Sequence, residues 1–250
     1  LTDLSDMIAE DFRRWPLFDK TPRVAAHSRD GVIELMPTSD GIAYGFKYVN
    51  GHPKNTRDGL QTVTAFGVLS DVATGYPVLM TEMTILTALR TAATSAMVAR
   101  RLARPDARRV LLIGAGHVAE SMIDAYRAMI PDAEISIWNR SPEAARALAD
   151  RRAARAVADL EPAVRDAEII ATATMATSPV LHGEWISPGT HVDLIGAYRP
   201  DMREGDDELL RRARLFVDSR ATTIGHIGEI QIPLDAGTIR ESDILADVYD

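Results

Sequence analysis

Two hydrophobic rhythms divide this chain. Between Thr21 and Met83 it is alternating and β-rich: Val32-Ile33-Glu34-Leu35-Met36-Pro37 and Ile42 to Val49 both predict strands, Gln61 to Ser70 a third, and Pro77 to Met83 a fourth. Asn50 to Gly59, dense in turn residues, and Asp71 to Gly75 separate them. Leu1 to Trp15 precedes this part as an amphipathic helix with Leu4, Met7, Ile8 and Phe12 on one side. Thr84 to Arg104 follows as a long helix that must end before Pro105. Ala92, Ala96, Ala99 and Ala103 make a stripe of small residues along it, which lets another element pack close, and Arg90 sits one turn earlier.

Beyond Pro105 the rhythm changes. Val110 to Ile113 is a continuous apolar run of the kind that forms a buried parallel strand. Gly114-Ala115-Gly116 follows at once. His117 to Met129 then predicts a helix, because Val118, Met122, Tyr126 and Met129 share one face. Glu134 to Trp138 predicts the next strand. Strand, Gly-x-Gly-x-x-Ala, helix, strand is the dinucleotide-binding unit. Gly114 allows the tight turn, Gly116 brings no side chain between backbone and pyrophosphate, and Ala119 lets helix and strand approach. Phosphates are expected at the helix N-terminus, on the N–H groups around His117 and Val118.

The tip of the second strand reads Asn139-Arg140-Ser141, with no carboxylate to hold a ribose 2′-hydroxyl. Arg140 and the Ser141 hydroxyl suit a 2′-phosphate instead, so NADP(H) is preferred and NAD(H) possible. Ser141-Pro142-Glu143 is also a good helix start, and Ser141 can do both. Ala167 to Thr174, His191 to Gly196 and Leu215 to Asp218 are further strands. Their C-terminal ends are expected to face the cofactor, which nominates Thr172, Thr174, Ile195 and Gly196. The tail carries Gly225-His-Ile-Gly-Glu229 and then a helix-like end.

Composition narrows the class. The 250 residues are 46% hydrophobic and 26% charged, as in a globular protein. No apolar run approaches the roughly 18 residues of a membrane span, and no basic-then-apolar leader opens the chain, which predicts a cytoplasmic protein with no membrane partner. The absence of cysteine excludes disulfides, thiolate metal sites and cysteine nucleophiles. A net charge of −8 argues against nonspecific nucleic-acid binding. The chain begins at Leu1 rather than methionine, so upstream residues are expected.

Three blocks in order resemble the ornithine cyclodeaminase/mu-crystallin family: Phe46-Lys47-Tyr-Val-Asn-Gly-His-Pro-Lys-Asn55, Thr87-Ala-Leu-Arg90-Thr-Ala-Ala-Thr-Ser95-Ala, and Ile113-Gly-Ala-Gly116. The resemblance implies an α/β protein. Its Rossmann-type domain would span residues 105–223, and a β-rich α+β domain, residues 1–104 with 224–250, would bind substrate and form a homodimer. It carries Arg23, Lys47 and Arg90 over as substrate-site residues and implies a small amino or imino acid substrate. The chemistry is consistent. An arginine pair can clamp an α-carboxylate, and a partly buried lysine, its pKa lowered toward neutrality, can exchange a proton near the reacting nitrogen, so Lys47 is the expected catalytic residue.

One departure steers the reading within the family. Cyclodeaminases there carry Gly-Gly-Asp-x-Pro-Gly-Lys-x-Glu; here the segment is Gly196-Ala-Tyr198-Arg-Pro-Asp-Met-Arg-Glu204, with Tyr198 in the aspartate's place. This version looks more like the cyclic imino acid reductases and mu-crystallin, whereas the Phe46–Asn55 block looks closer to cyclodeaminases. The expectation is therefore an NAD(P)(H)-dependent reductase of a cyclic ketimine such as a pyrroline-2-carboxylate. The alternatives are an ornithine cyclodeaminase with bound NAD, or a noncatalytic ligand-binding protein like mu-crystallin. The family usually continues past a Glu-Leu-Gly near residue 248, so a further closing segment is also expected.

Overall fold

The computed structural model describes residues 1–20 and 24–249. They fall into two compact units, one of Ala9–Arg90 and the other of Leu1–Ile8 with Thr91–Asp250. The first helix, α1 (Thr2–Arg13), is shorter than its pattern predicted. Pro16 accounts for this: it has no N–H to donate and forces the chain into the short 3-10 turn Trp15–Leu17.

The alternating segment forms a six-stranded antiparallel sheet: β1 (Asp19–Lys20), β2 (Val24–His27), β3 (Val32–Ser39), β4 (Ala43–Gly51), β5 (Val63–Asp71) and β6 (Pro77–Glu82). The order is β1-β3-β4-β5-β6, with β2 also paired to β3. Met36 opposes Lys47, and Lys47 opposes Gly67, so these three share a face. Leu35, Tyr48 and Phe66 are matched on the other face, as are Pro37, Phe46, Val68 and Met80. The turn-rich segment after β4 holds a 3-10 helix, Pro53–Asp58. Helix α2 (Thr84–Leu102) then runs across the boundary between the units.

The other unit is built on a five-stranded parallel sheet. Its strands are β7 (Arg109–Ile113), β8 (Glu134–Trp138), β9 (Arg155–Ala156), β10 (Ile169–Thr172) and β11 (His191–Leu194), in the order β11-β10-β7-β8-β9. This is the Rossmann order, with its switch point between β7 and β10. Helices α3 (His117–Met129), α4 (Pro142–Arg152) and α5 (Leu160–Asp166) connect the strands. A parallel strand covered on both faces must be apolar where it is covered, and β7 is from Val110 on: Val110 and Leu112 enter one core with Ile169 and Ala171, Leu111 and Ile113 the opposite core with Ile170. The small-residue stripe of α2 lies in the first of these. Ala92, Ala96 and Ala99 are fully buried beside Met122 and Tyr126 of α3. There the Tyr126 hydroxyl meets the Ser95 hydroxyl at 2.9 Å, and burial pushes the phenol pKa up.

The remaining elements are α6 (Asp207–Arg212), β12 (Leu215–Phe216), α7 (Arg220–Thr223), α8 (Gly228–Asp235) and β13 (Ile244–Ala246). They correct one expectation. The pattern predicts a further strand over Leu215–Asp218 with its end at the cofactor, but only Leu215 and Phe216 pair, and they pair with β13 in a separate two-stranded sheet. Its apolar residues serve a small core of their own, with Leu210, Ile230, Ile239 and Ile244. Residues 224–250 and the second part of α2 group with the parallel sheet. No described helix is long and apolar enough to cross a membrane.

Candidate functional site

The turn after β7 is shaped by two glycines with different jobs. Gly114 has φ +124°, in the region L side chains avoid, and a Cβ there would lie 2.6 Å from the Ala173 carbonyl oxygen. The fold itself therefore requires this glycine. Gly116 has φ −87°, and a Cβ there would meet no protein atom within 4 Å. Neither backbone geometry nor protein packing requires glycine at 116, and the backbone there is open to close approach by a ligand. Gly116 is the N-cap of α3 and offers no side-chain cap, so the first N–H groups of that helix, around His117 and Val118, face outward without a local side-chain acceptor from the cap. Ala119, 1% exposed, sits against the core as the third small position requires. These residues fit the diphosphate of a dinucleotide.

At the end of β8, Arg140 and Ser141 are exposed and Asn139 is partly buried. Asn139 donates from Nδ2 to the Ser141 carbonyl at 3.1 Å, which closes the turn into α4. Ser141 is the N-cap, but its hydroxyl donates to Glu143 at 3.2 Å instead of capping a backbone N–H. The Glu143 carboxyl is held below its usual range by a backbone N–H, the Ser141 hydroxyl and Arg146. The sequence places no acid at the strand tip, yet α4 brings one onto Ser141.

The most organised part of the site is one that sequence reading did not single out. Glu204, fully buried, sits in the loop between β11 and α6 and accepts four hydrogen bonds. One oxygen takes the Thr174 N–H at 2.8 Å and the Thr174 hydroxyl at 2.6 Å; the other takes the Thr172 hydroxyl and the Gly196 N–H, both at 2.6 Å. Thr172, Thr174 and Gly196, all expected at the cofactor, are thus brought onto one carboxylate, and Ile195 adjoins them, its N–H on the Thr172 carbonyl at 3.1 Å. Glu229, from α8, holds the next layer: its oxygens accept from the Glu204 N–H at 2.7 Å and the Gly205 N–H at 3.0 Å. Burial, the leading cause, pushes the Glu229 carboxyl up to about 7; the two N–H groups and Arg203 pull it down, and the Glu204 charge adds to the rise. Both glutamates stood in the sequence at the ends of Gly-containing segments, but nothing there linked them to strands 30 residues away.

The expected substrate residues lie apart from these in the chain. Lys47 is on β4, partly buried, on the sheet face opposite Phe46 and Phe66. Arg90 is exposed on α2. Arg23 lies outside the described residues. Among the described residues no cluster of histidine, aspartate or glutamate could hold a metal ion.

Comparisons with known proteins follow the same lines. The sequence model of the ornithine cyclodeaminase/mu-crystallin family matches residues 1–250. The chain is 52% identical over 226 residues to an ornithine cyclodeaminase of Agrobacterium fabrum, covering 87% of this chain but 64% of that protein's length. It is 44% identical over 217 residues to a Δ1-pyrroline-2-carboxylate reductase of Paracoccus denitrificans, covering 84% of this chain and 69% of the relative. A solved structure of the Δ1-pyrroline-2-carboxylate reductase of Thermococcus litoralis, in complex with NADH and L-proline, superposes with a TM-score of 0.93 at 30% identity, covering 99% of this chain and 80% of that one.

The Glu229 environment yields a pH test. Its carboxyl is raised from 4.5 to about 7 in the folded state, so between those values the native protein keeps a proton that the unfolded chain has released. Its contribution to stability is therefore full below about 4.5 and lost as pH rises through about 7. Glu229→Gln leaves one backbone N–H without an acceptor and should lower stability by about 1–3 kcal/mol. It should also remove the decline with pH that this group causes. Urea unfolding of both proteins at about pH 5 and about pH 8 reads the difference. Identical pH slopes would show that Glu229 titrates in the ordinary carboxylate range.

Proposed function

This chain belongs to the ornithine cyclodeaminase/mu-crystallin family, and we propose that it is an NAD(P)(H)-dependent oxidoreductase acting at the α carbon–nitrogen bond of a small amino or imino acid, a cyclic ketimine reductase of the pyrroline-2-carboxylate type. The observation that carries the cofactor part is the Gly114–Val118 turn, where glycine at 116 leaves the backbone open to a ligand. A nicotinamide dinucleotide, when bound, supplies hydride transfer. Gly114, Gly116, His117 and Val118 would hold its diphosphate, Asn139, Arg140 and Ser141 its adenosine ribose, and Thr172, Thr174, Ile195 and Gly196 its nicotinamide end.

On the other unit, Arg23 and Arg90 are assigned to the substrate carboxylate, which a guanidinium binds through two parallel hydrogen bonds. Lys47 is assigned to protonate or hydrogen-bond the imine nitrogen. The reductase reading is favoured by Tyr198. Its hydroxyl lies 3.4 Å from Arg199 Nη1, and it offers no carboxylate base where cyclodeaminases of the family have one. Ornithine cyclodeaminase is the second reading, favoured by the 52% identity to the Agrobacterium protein. A noncatalytic ligand-binding protein is the third.

One assay separates them. With the imine and NADPH or NADH, a reductase oxidises the nucleotide; with ornithine and NAD, a cyclodeaminase releases ammonia with no net change in nucleotide; a binding protein does neither. Lys47→Met should lower turnover about 100-fold or more, whichever activity is present, and leave nucleotide affinity nearly unchanged. Turnover near that of the wild type would remove Lys47 from the chemistry.

Nucleotide choice rests on Arg140. The exposed guanidinium favours a 2′-phosphate and NADP(H), while Glu143, hydrogen-bonded to Ser141, favours NAD(H). A charge-assisted hydrogen bond contributes roughly 1.5–3 kcal/mol, so Arg140→Ala should raise the NADPH dissociation constant about 10- to 150-fold and leave that of NADH nearly unchanged. Asn139→Asp should shift preference toward NADH. Fluorescence titration of each protein with both nucleotides measures this, and small, equal changes would leave NAD(H) as the cofactor.

The homodimer reading is supported by the sheet of residues 9–90. Its face opposite Lys47 leaves Ile33, Leu35, Phe46, Phe66 and Met80 exposed, Met80 by 64%. A contiguous apolar face of this kind marks an interface, and a face that meets its own copy closes a two-fold dimer. Sedimentation velocity should find a dimer for the wild type and a monomer for Met80→Glu. A monomeric wild type would refute the reading.

A further inference from the structure

We infer that Glu204 is a positioning residue for the nicotinamide half of the bound dinucleotide, held in place by Glu229; this rests on the dinucleotide-binding reading above. The argument begins with what the carboxylate holds. A carboxylate has about four lone-pair sites, and Glu204 fills them with four donors, all uncharged. Two are backbone N–H groups, at Thr174 and Gly196. These lie just past the carboxyl ends of β10 and β11, at the edge where a doubly wound sheet binds its ligand, and β10 flanks the switch point. Glu204 therefore fixes the backbone at Thr174 and Gly196, one residue past the last strand-to-strand hydrogen bonds, from Ala173 N–H to the Ile113 carbonyl and from Ile195 N–H to the Thr172 carbonyl.

The carboxylate is itself immobilised from behind. The Glu204 N–H and the following N–H donate to Glu229, and the Glu204 carbonyl accepts from Val180 at 2.8 Å and Leu181 at 2.9 Å. Packing leaves no slack: a Cβ at Gly196 would lie 2.5 Å from Glu204 Oε1, and one at Gly228, the first residue of α8, 2.4 Å from the Met202 carbonyl. The segment after Gly225 thus reaches the cofactor end of the sheet through two side chains, Glu229 and Glu204.

A positioning role differs from a merely structural one in which part of the ligand feels it. Adenosine diphosphate ribose uses the Gly114–Val118 turn and the tip of β8 but has no nicotinamide. In Glu204→Gln the amide nitrogen cannot accept, so in either amide orientation one backbone N–H, at Thr174 or Gly196, faces another N–H group. The dissociation constant for NADH or NADPH, whichever the wild type binds tighter, should rise at least about tenfold. That for adenosine diphosphate ribose should stay within about twofold, the scatter of such titrations. Glu229→Gln, which loosens Glu204 from behind, should move the same pair of constants in the same direction by a smaller factor, and it decides the matter if Glu204→Gln does not fold. Equal weakening of both ligands, or of neither, would overturn the inference. A wild type that binds neither ligand would instead overturn the dinucleotide reading beneath it.

Discussion

A buried carboxylate must be satisfied, and in the larger unit that demand organises the functional edge. An ionised group removed from water without partners is among the most costly features a fold can carry. Glu204 meets the demand with two threonine hydroxyls and two backbone N–H groups, and no cation joins them among its hydrogen bonds. The consequence is directional. The donors can satisfy the carboxylate only if the strand ends that carry them stay where they are, so the energetic need of one side chain becomes a geometric constraint on two segments. Had the same charge been paired with a flexible arginine, it would have been satisfied without fixing the backbone.

The two glycines of the first turn show how far a sequence can be read and where it stops. Gly114 and Gly116 were both legible as a dinucleotide signature, because strand, turn and helix are local and their periodicities are carried by adjacent residues. What the spacing could not separate is their reasons. One is demanded by φ and by the Ala173 carbonyl, the other by nothing in the protein. The parallel strands were legible for the same local reason. The strand at Leu215 was not, because two apolar residues read alike whether they join a central sheet or a two-stranded ribbon; only β13, 30 residues later, decides. Glu204 and Glu229 were illegible as a pair because their partners are mostly backbone N–H groups, which every residue but proline has and which leave no trace in residue type.

The antiparallel sheet carries a complementary lesson. A strict period of two gives each strand two faces, and register decides which residues share one. Lys47 and Phe46 are neighbours in sequence and opposites in space: one shares its face with Met36 and Gly67, the other with Val68 and Met80. The sequence block that suggested the family therefore combines two functions on one strand, proposed chemistry on one face and proposed self-association on the other. A one-residue slip would exchange them, which is why nine paired positions between β4 and β5 matter more here than any single side chain.

The choice between reduction and cyclodeamination turns on how much weight overall identity deserves against one position. Identity of 52% to a cyclodeaminase stands beside 44% to a Δ1-pyrroline-2-carboxylate reductase, and the same fold accommodates another such reductase at 30% identity. Fold similarity of this kind cannot discriminate between the two chemistries, because both need a dinucleotide, a carboxylate clamp and a proton carrier. Cyclisation in this family adds one requirement, a base to deprotonate the attacking amine. At the position where its carboxylate is expected stands Tyr198, with the Arg199 guanidinium 5.4 Å from its ring centroid. A phenol hydroxyl that accepts from a guanidinium is suited to orienting a bound group, and it is not the carboxylate that cyclisation in this family uses. The position carries more information than the percentage, because it is where the two reactions differ.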